Sequence, residues 1–170
     1  MNIFDLLRDL FTNPVLMVPV LSWLTAQVIK IIVNLVVNKK LDLSRLFGDG
    51  GMPSGHSATV VSLTVLIGWG YGLSSPLFAI SGILAIIVMN DAHGVRLEAG
   101  KHATSIKQIA EIINGMISSK DEAIRTEKLK ELVGHTPLQV VCGAILGLTT
   151  ATVALLILAI PYGSLASILY

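Results

Sequence analysis

Four apolar runs dominate the chain: 14–37, 53–72, 76–90 and 138–160. A helix needs about 20 such residues to cross a hydrocarbon core of roughly 30 Å. Inside lipid each segment must satisfy its own backbone N–H and C=O groups, so runs of this kind fold as helices. The composition agrees, with 53% hydrophobic residues, 14% charged residues and a mean hydropathy of +0.76. These values exclude an ordinary soluble domain. The expected fold is therefore all-α, a single membrane domain over residues 1–170 built as a polytopic helical bundle with four long spans. Residues 161–170 are too short to cross alone, and either extend the last helix, kink at Pro161 or form a short fifth segment at the interface. A net charge of +1 gives no reason to expect a nucleic-acid partner. Cys142 is the only cysteine, which rules out an internal disulfide and argues against a thiol nucleophile.

Around the spans, the polar residues fall into a pattern. Ile3, Phe4, Leu7, Leu10 and Phe11 alternate with Asp5, Arg8 and Asp9 in a short amphipathic helix suited to the membrane surface. Those acidic residues are not the basic start of a cleavable signal peptide. Trp23, Gln27, Lys30 and Asn34 recur at helical spacing in the first span, one stripe that faces other helices. A lysine there costs about 2.5–3.5 kcal/mol on insertion scales, so a paired or functional role is its default, with snorkelling to the interface as the alternative. Residues 97–136 leave the membrane pattern and form an amphipathic helical insertion. Ile106, Ile109, Ala110, Ile113, Met116 and Ile117 share one face of a helix, and the capping-box spacing of Ser119 to Glu122 starts a second, ending near Gly134. In the last span Gly143 and Gly147 have GxxxG spacing, a close-contact face through which a homo-oligomer could form.

Basic residues decide the orientation. Lys39, Lys40, Arg45, Arg96, Lys101, Lys107, Lys120, Arg125, Lys128 and Lys130 lie in two loops that four spans put on one side, and Arg8 lies on the other. The positive-inside rule makes the shared side cytoplasmic. This predicts an integral protein of a bacterial cytoplasmic membrane with its N-terminus outside.

Three polar clusters converge on that cytoplasmic face. In Gly50–Ala58 a glycine-rich turn runs into a span. It offers an anion the bare amides around Gly55, the Ser54 hydroxyl and a helix N-terminus, while His56 can give or take a proton near neutral pH. The plain alternative is an N-cap before an ordinary membrane helix. Asp91, His93 and Arg96 follow the third span, and Gly134 to Pro137 precede the fourth. Two histidines, several cations and a helix N-terminus suit phosphoryl transfer, in which one imidazole attacks phosphorus and the other protonates the departing alkoxide. A metal site drawn from Asp91, His93 and His102 is the competing chemistry, without the spacing of a known ligand motif.

Pro53-Ser54-Gly55-His56 matches the P-S-G-H motif of the type 2 phosphatidic acid phosphatase superfamily, which includes the vanadium haloperoxidases. Residues 51–58, then Asp91-Ala92-x-Gly94-Val95-Arg96, then Leu132-x-Gly134-His135-Thr136-Pro137 together resemble its divergent branch of small membrane proteins, from Lys30 to about Gly147. The resemblance implies that Lys30 binds phosphate, that His56 is the general acid, and that Ser54 and Gly55 contact phosphate. It implies the same phosphate contact for Arg96 and nucleophilic attack by His135. Two positions depart from the superfamily pattern. No Arg-Pro pair follows Lys30 at the usual distance, leaving Arg45 as a substitute, and Gln139 stands four residues past His135 where an aspartate is usual. Glutamine can hold the imidazole tautomer but cannot balance its cationic form, a part that Asp91 could take over.

The expected activity is a lipid phosphatase. It hydrolyses a phosphomonoester such as phosphatidylglycerophosphate or phosphatidate through a phosphohistidine, with no metal or other cofactor. The alternative is a catalytically impaired relative that binds anionic lipid or a partner. Haloperoxidase chemistry fits poorly with a lipid-facing site.

Overall fold

The computed structural model describes residues 2–39, 50–116 and 134–162. These form six helices in chain order: α1 (Ile3–Thr12), α2 (Pro14–Asn38), α3 (Gly55–Tyr71), α4 (Pro76–His93), α5 (Val95–Met116) and α6 (Pro137–Tyr162). Arg45 and the second amphipathic helix expected after Ser119 lie outside the described residues, as do residues 163–170. The last helix runs through Pro161 to Tyr162.

The helix starts follow from local chemistry. Asn13 Oδ1 accepts from the Val15 and Leu16 amides at 2.9 and 3.3 Å, with Pro14 at the first helical position, where a missing N–H costs nothing. Ser75 caps α4 in the same way, accepting from the Phe78 amide at 3.2 Å just ahead of Pro76. Ser54 caps α3. The amphipathic α1 buries none of its residues, as a helix lying in the interface should.

α3 is the hub. It packs on α2, α4 and α6, and these are the three most extensive helix pairings, ahead of that of α2 with α6. Its neighbours approach closely because the contact residues are small. Ala26, Ala58, Ala151, Ser22 and Ser62 are fully buried, and a Cβ on Gly147 would run into the Ala58 carbonyl oxygen. Lipid is as apolar as leucine, so helices in a bilayer are held by such close packing and by hydroxyl bridges. Ser22 Oγ donates to Ala58 O at 3.1 Å, Thr150 Oγ1 lies 2.9 Å from Ser22 Oγ, and Thr64 Oγ1 lies 3.1 Å from Ser81 O. The larger apolar side chains, among them Val28, Ile32, Ile83, Ile87, Ile145 and Leu156, point outward.

Three helical stretches among the described residues are long and apolar enough to cross a membrane: Pro14–Val37, Pro76–Met116 and Pro137–Ile157. A fourth long span is not among them, and the expected count of four long spans is not confirmed, because α3 has 17 residues, about 25 Å at 1.5 Å per residue. Its central position shields it from lipid, so a shorter helix suffices there. The stretch Pro76–Met116 runs well beyond the apolar run expected at 76–90. α5 begins at Val95, directly after α4, and the two are separated only at Gly94, whose amide still bonds Asn90 O at 2.8 Å. The apolar face predicted for this segment is present, with Ile106, Ile109, Ile113 and Met116 all exposed on α5.

Gly143 and Gly147 are in close contact as GxxxG spacing implies, but with α3 of the same chain. A Cβ on Gly143 would meet the Ser54 carbonyl oxygen and would lie 2.9 Å from Ser57 Cβ. That face is filled internally and is not open to a second copy.

Candidate active site

The up-and-down course of the helices brings four ends together: the C-terminal half of α2, the N-terminus of α3, the α4–α5 corner and the N-terminus of α6. Backbone hydrogen bonds tie them. The Ser54 amide donates to Gln139 O at 3.0 Å, and the His135 amide donates to Ala92 O at 2.9 Å. Gly134 packs so tightly on the backbone of Arg96 and Leu97 that no side chain fits there.

At this junction His56 and His135 meet. Their ring centroids are 5.8 Å apart with the planes at 64°, an edge-on arrangement. His135 is fully buried, whereas His56 is half-buried. Ser54 and Gly55 are buried beside them in the first turn of α3. The turn that delivers them is shaped by Gly51, whose φ of +97° few side chains tolerate, and by Gly55, where an added Cβ would sit 3.0 Å from Trp23 Cδ1.

The α2 stripe reaches the same turn. Lys30 is only 5% exposed, so it does not snorkel to the surface. Its aliphatic stem lies 3.8 Å from the Cβ direction of Gly51. Lys30, Asn34, Gly50, Gly51, Met52 and Gln139 line an open cleft of ≈ 230 Å³. This cleft joins the lysine of α2 to the first turn of α6.

Gln139 does two jobs. Its Oε1 accepts from the Thr136 amide at 3.1 Å while its own amide donates to Thr136 Oγ1 at 3.4 Å, the reciprocal pattern of a capping box. The same Oε1 lies 3.3 Å from His135 Nδ1. Because a backbone N–H fixes that atom as an acceptor, the imidazole must present Nδ1–H to it. Nε2 is then the basic nitrogen. The sequence signal was Thr136-Pro137-Leu138-Gln139, a capping-box spacing with proline at the first helical position; reading it would have identified Thr136 as the residue that orients Gln139.

Arg96 and Asp91 pair with each other. Arg96 Nε donates to Asp91 Oδ2 at 2.7 Å, with both side chains partly exposed. Asp91 is thus paired with Arg96, and the residue at His135 Nδ1 is Gln139. Arg96 adjoins the histidine pair through the Gly134 backbone. Among the described residues no three of His, Cys, Asp and Glu gather as metal ligands, Asp91, His93 and His102 included. In the buried region Gln27 Oε1 and Ser57 Oγ have no hydrogen-bond partner among the described residues. Each such atom costs about 1–3 kcal/mol of stability.

A family model described as the Divergent PAP2 family matches residues 11–150, a range holding Lys30, the Ser54–His56 turn, Arg96, His135 and Gln139. The membrane protein YuiD of Bacillus subtilis (strain 168), described as uncharacterized, is 41% identical over 146 residues, covering 82% of this chain and 92% of the relative. No solved structure matches.

Proposed function

This chain belongs to the Divergent PAP2 family, and from that premise we propose that it is a lipid phosphatase acting on a phosphomonoester headgroup at the cytoplasmic membrane face. The observation that carries the reading is the edge-on pair of His56 and His135, 5.8 Å apart, with His135 Nδ1 facing the Gln139 acceptor. Nε2 of His135 attacks phosphorus while the bond from phosphorus to the lipid oxygen breaks, and His56 gives that oxygen its proton. Water then attacks the phosphohistidine, His56 takes a proton back, and the P–N bond breaks to release inorganic phosphate. Lys30, the Ser54 hydroxyl and the amides around Gly55 hold the oxygens whose charge grows at each step. Arg96 joins them once a phosphate oxygen replaces the Asp91 carboxylate as its partner. α3 serves as a fourth, shorter crossing in this reading, which keeps all the basic loops on one side.

Phosphate release by the purified protein, measured in EDTA from phosphatidylglycerophosphate, phosphatidate and soluble glycerol 3-phosphate, tests the activity. Release from the lipids with little from the soluble ester is expected. Release from none of the three would leave the second reading, an impaired relative that binds anionic lipid, which the glutamine at position 139 favours. Thiol labelling of Lys101→Cys from outside intact cells, expected to fail, checks the sidedness.

Gln139 itself gives a graded test. Gln139→Leu removes the acceptor for Nδ1–H and half of the capping box. Turnover is expected to fall about 10- to 100-fold, as for other groups that orient a reactive histidine, with about 1 kcal/mol of stability lost. Gln139→Glu keeps both contacts and adds the charge that balances an imidazolium, so its turnover should equal or exceed that of the parent. A leucine variant as active as the parent would remove Gln139 from the scheme.

A further inference from the structure

Gln27 is a deeply buried polar side chain of the α2 stripe that the scheme above does not use. It is 4% exposed, and its Oε1 has no hydrogen-bond partner among the described residues. Two contacts of the same stripe bracket where it faces. Four residues before it, Trp23 lies against Gly55, and three residues after it the stem of Lys30 lies against Gly51. Residues spaced by three and four share one helical face, so Gln27 looks onto the turn between Gly51 and Gly55. That is the level of the phosphate-holding amides.

An amide oxygen cannot bond a phosphate oxygen, since both are acceptors; its complement is an O–H or N–H donor. We infer that Gln27 Oε1 accepts a hydrogen bond from a hydroxyl held next to the phosphoryl group, and that Gln27 is a further residue of this site. The inference rests on the phosphatase reading and adds a function to it. Two hydroxyls have the required chemistry. One belongs to the water of the second step, which gives one proton to His56 as its oxygen bonds phosphorus and the P–Nε2 bond breaks, while its other O–H points at Gln27. The other is a hydroxyl of the lipid headgroup beside the phosphomonoester, which phosphatidylglycerophosphate carries and phosphatidate lacks.

Gln27→Met tests this, because methionine matches the volume of glutamine without its hydrogen-bonding groups. A buried oxygen with no partner in the resting protein loses nothing on replacement. The melting temperature in detergent should therefore hold or rise while kcat falls at least 10-fold. If the hydroxyl is that of water, both lipids are affected and a ³²P-labelled phosphoenzyme accumulates. If it belongs to the headgroup, phosphatidylglycerophosphate turnover falls and phosphatidate turnover does not. Unchanged turnover on both lipids, or a lowered melting temperature, overturns the role of Gln27 while the activity of the parent stands. A parent protein inactive on both lipids overturns the phosphatase reading and this inference with it.

Discussion

His135→Ala is expected to reduce phosphate release at least about 10³-fold, since it deletes the nucleophile and leaves only binding groups behind. The loss should be equal for lipid substrates and for an activated aryl phosphate, because neither can transfer its phosphoryl group without Nε2. His56→Ala should behave differently. An aryl leaving group departs without a proton, so the first step survives, while the second lacks its base. An acid-labile phosphoenzyme should then build up from the aryl ester, visible as ³²P retained on His56→Ala and absent from His135→Ala. Stability is not expected to explain either result: His56 is half-buried, and the His135 amide keeps its bond to Ala92 O in the alanine variant. Release by His135→Ala at the parental rate would end the nucleophile assignment.

The second large effect lies in the packing that carries the site. Gly143→Leu should prevent recovery of a monodisperse folded protein. The first added carbon would collide with the Ser54 carbonyl oxygen and would sit 3.0 Å from Ser54 Cβ. Both obstacles belong to or adjoin the α3 backbone, so no rotamer change relieves them, and the cost should exceed the roughly 1–3 kcal/mol usual for overpacking. α3 would have to separate from α6 and break the Ser54 to Gln139 backbone bond. Gly82→Ala provides the contrast, since nothing lies within 4 Å of a Cβ at that position on α4. It should be neutral or stabilise by up to about 1 kcal/mol through helix propensity. Thermal unfolding followed by size-exclusion chromatography in detergent reads both. A Gly143→Leu protein that melts with the parent would mean that the α3–α6 contact is looser than these distances.

Periodicity explains what could be read in advance. The Trp23, Gln27, Lys30 and Asn34 stripe follows from 3.6 residues per turn, and the structure turns it toward α3. The cap at Ser54 and the glycines around it mark a turn because few other residues accept that backbone. Contacts between elements were less legible. Asp91 and Arg96 stand five residues apart across the Gly94 break, a geometry no helical rule describes. GxxxG spacing signals close approach without naming the partner, and here the partner is α3 within the chain. The short α3 could not be distinguished from a full span, because hydropathy reports what a segment is made of and not what surrounds it.

Membrane class, helical fold, the polar stripe and the three polar clusters were all encoded locally, in runs, spacings and turn residues whose meaning depends on a few neighbours along the chain. Which of those groups meet is a property of the bundle. Small residues at Ala58, Gly143 and Gly147 let α3 and α6 approach closely, and that approach puts His56 beside His135. The Gly134 corner and the capping box then aim His135 at its partner, while the competing charge of Asp91 is drawn off to Arg96. Distances of a few ångströms between segments about 80 residues apart in sequence arise from packing, and no local pattern carries them.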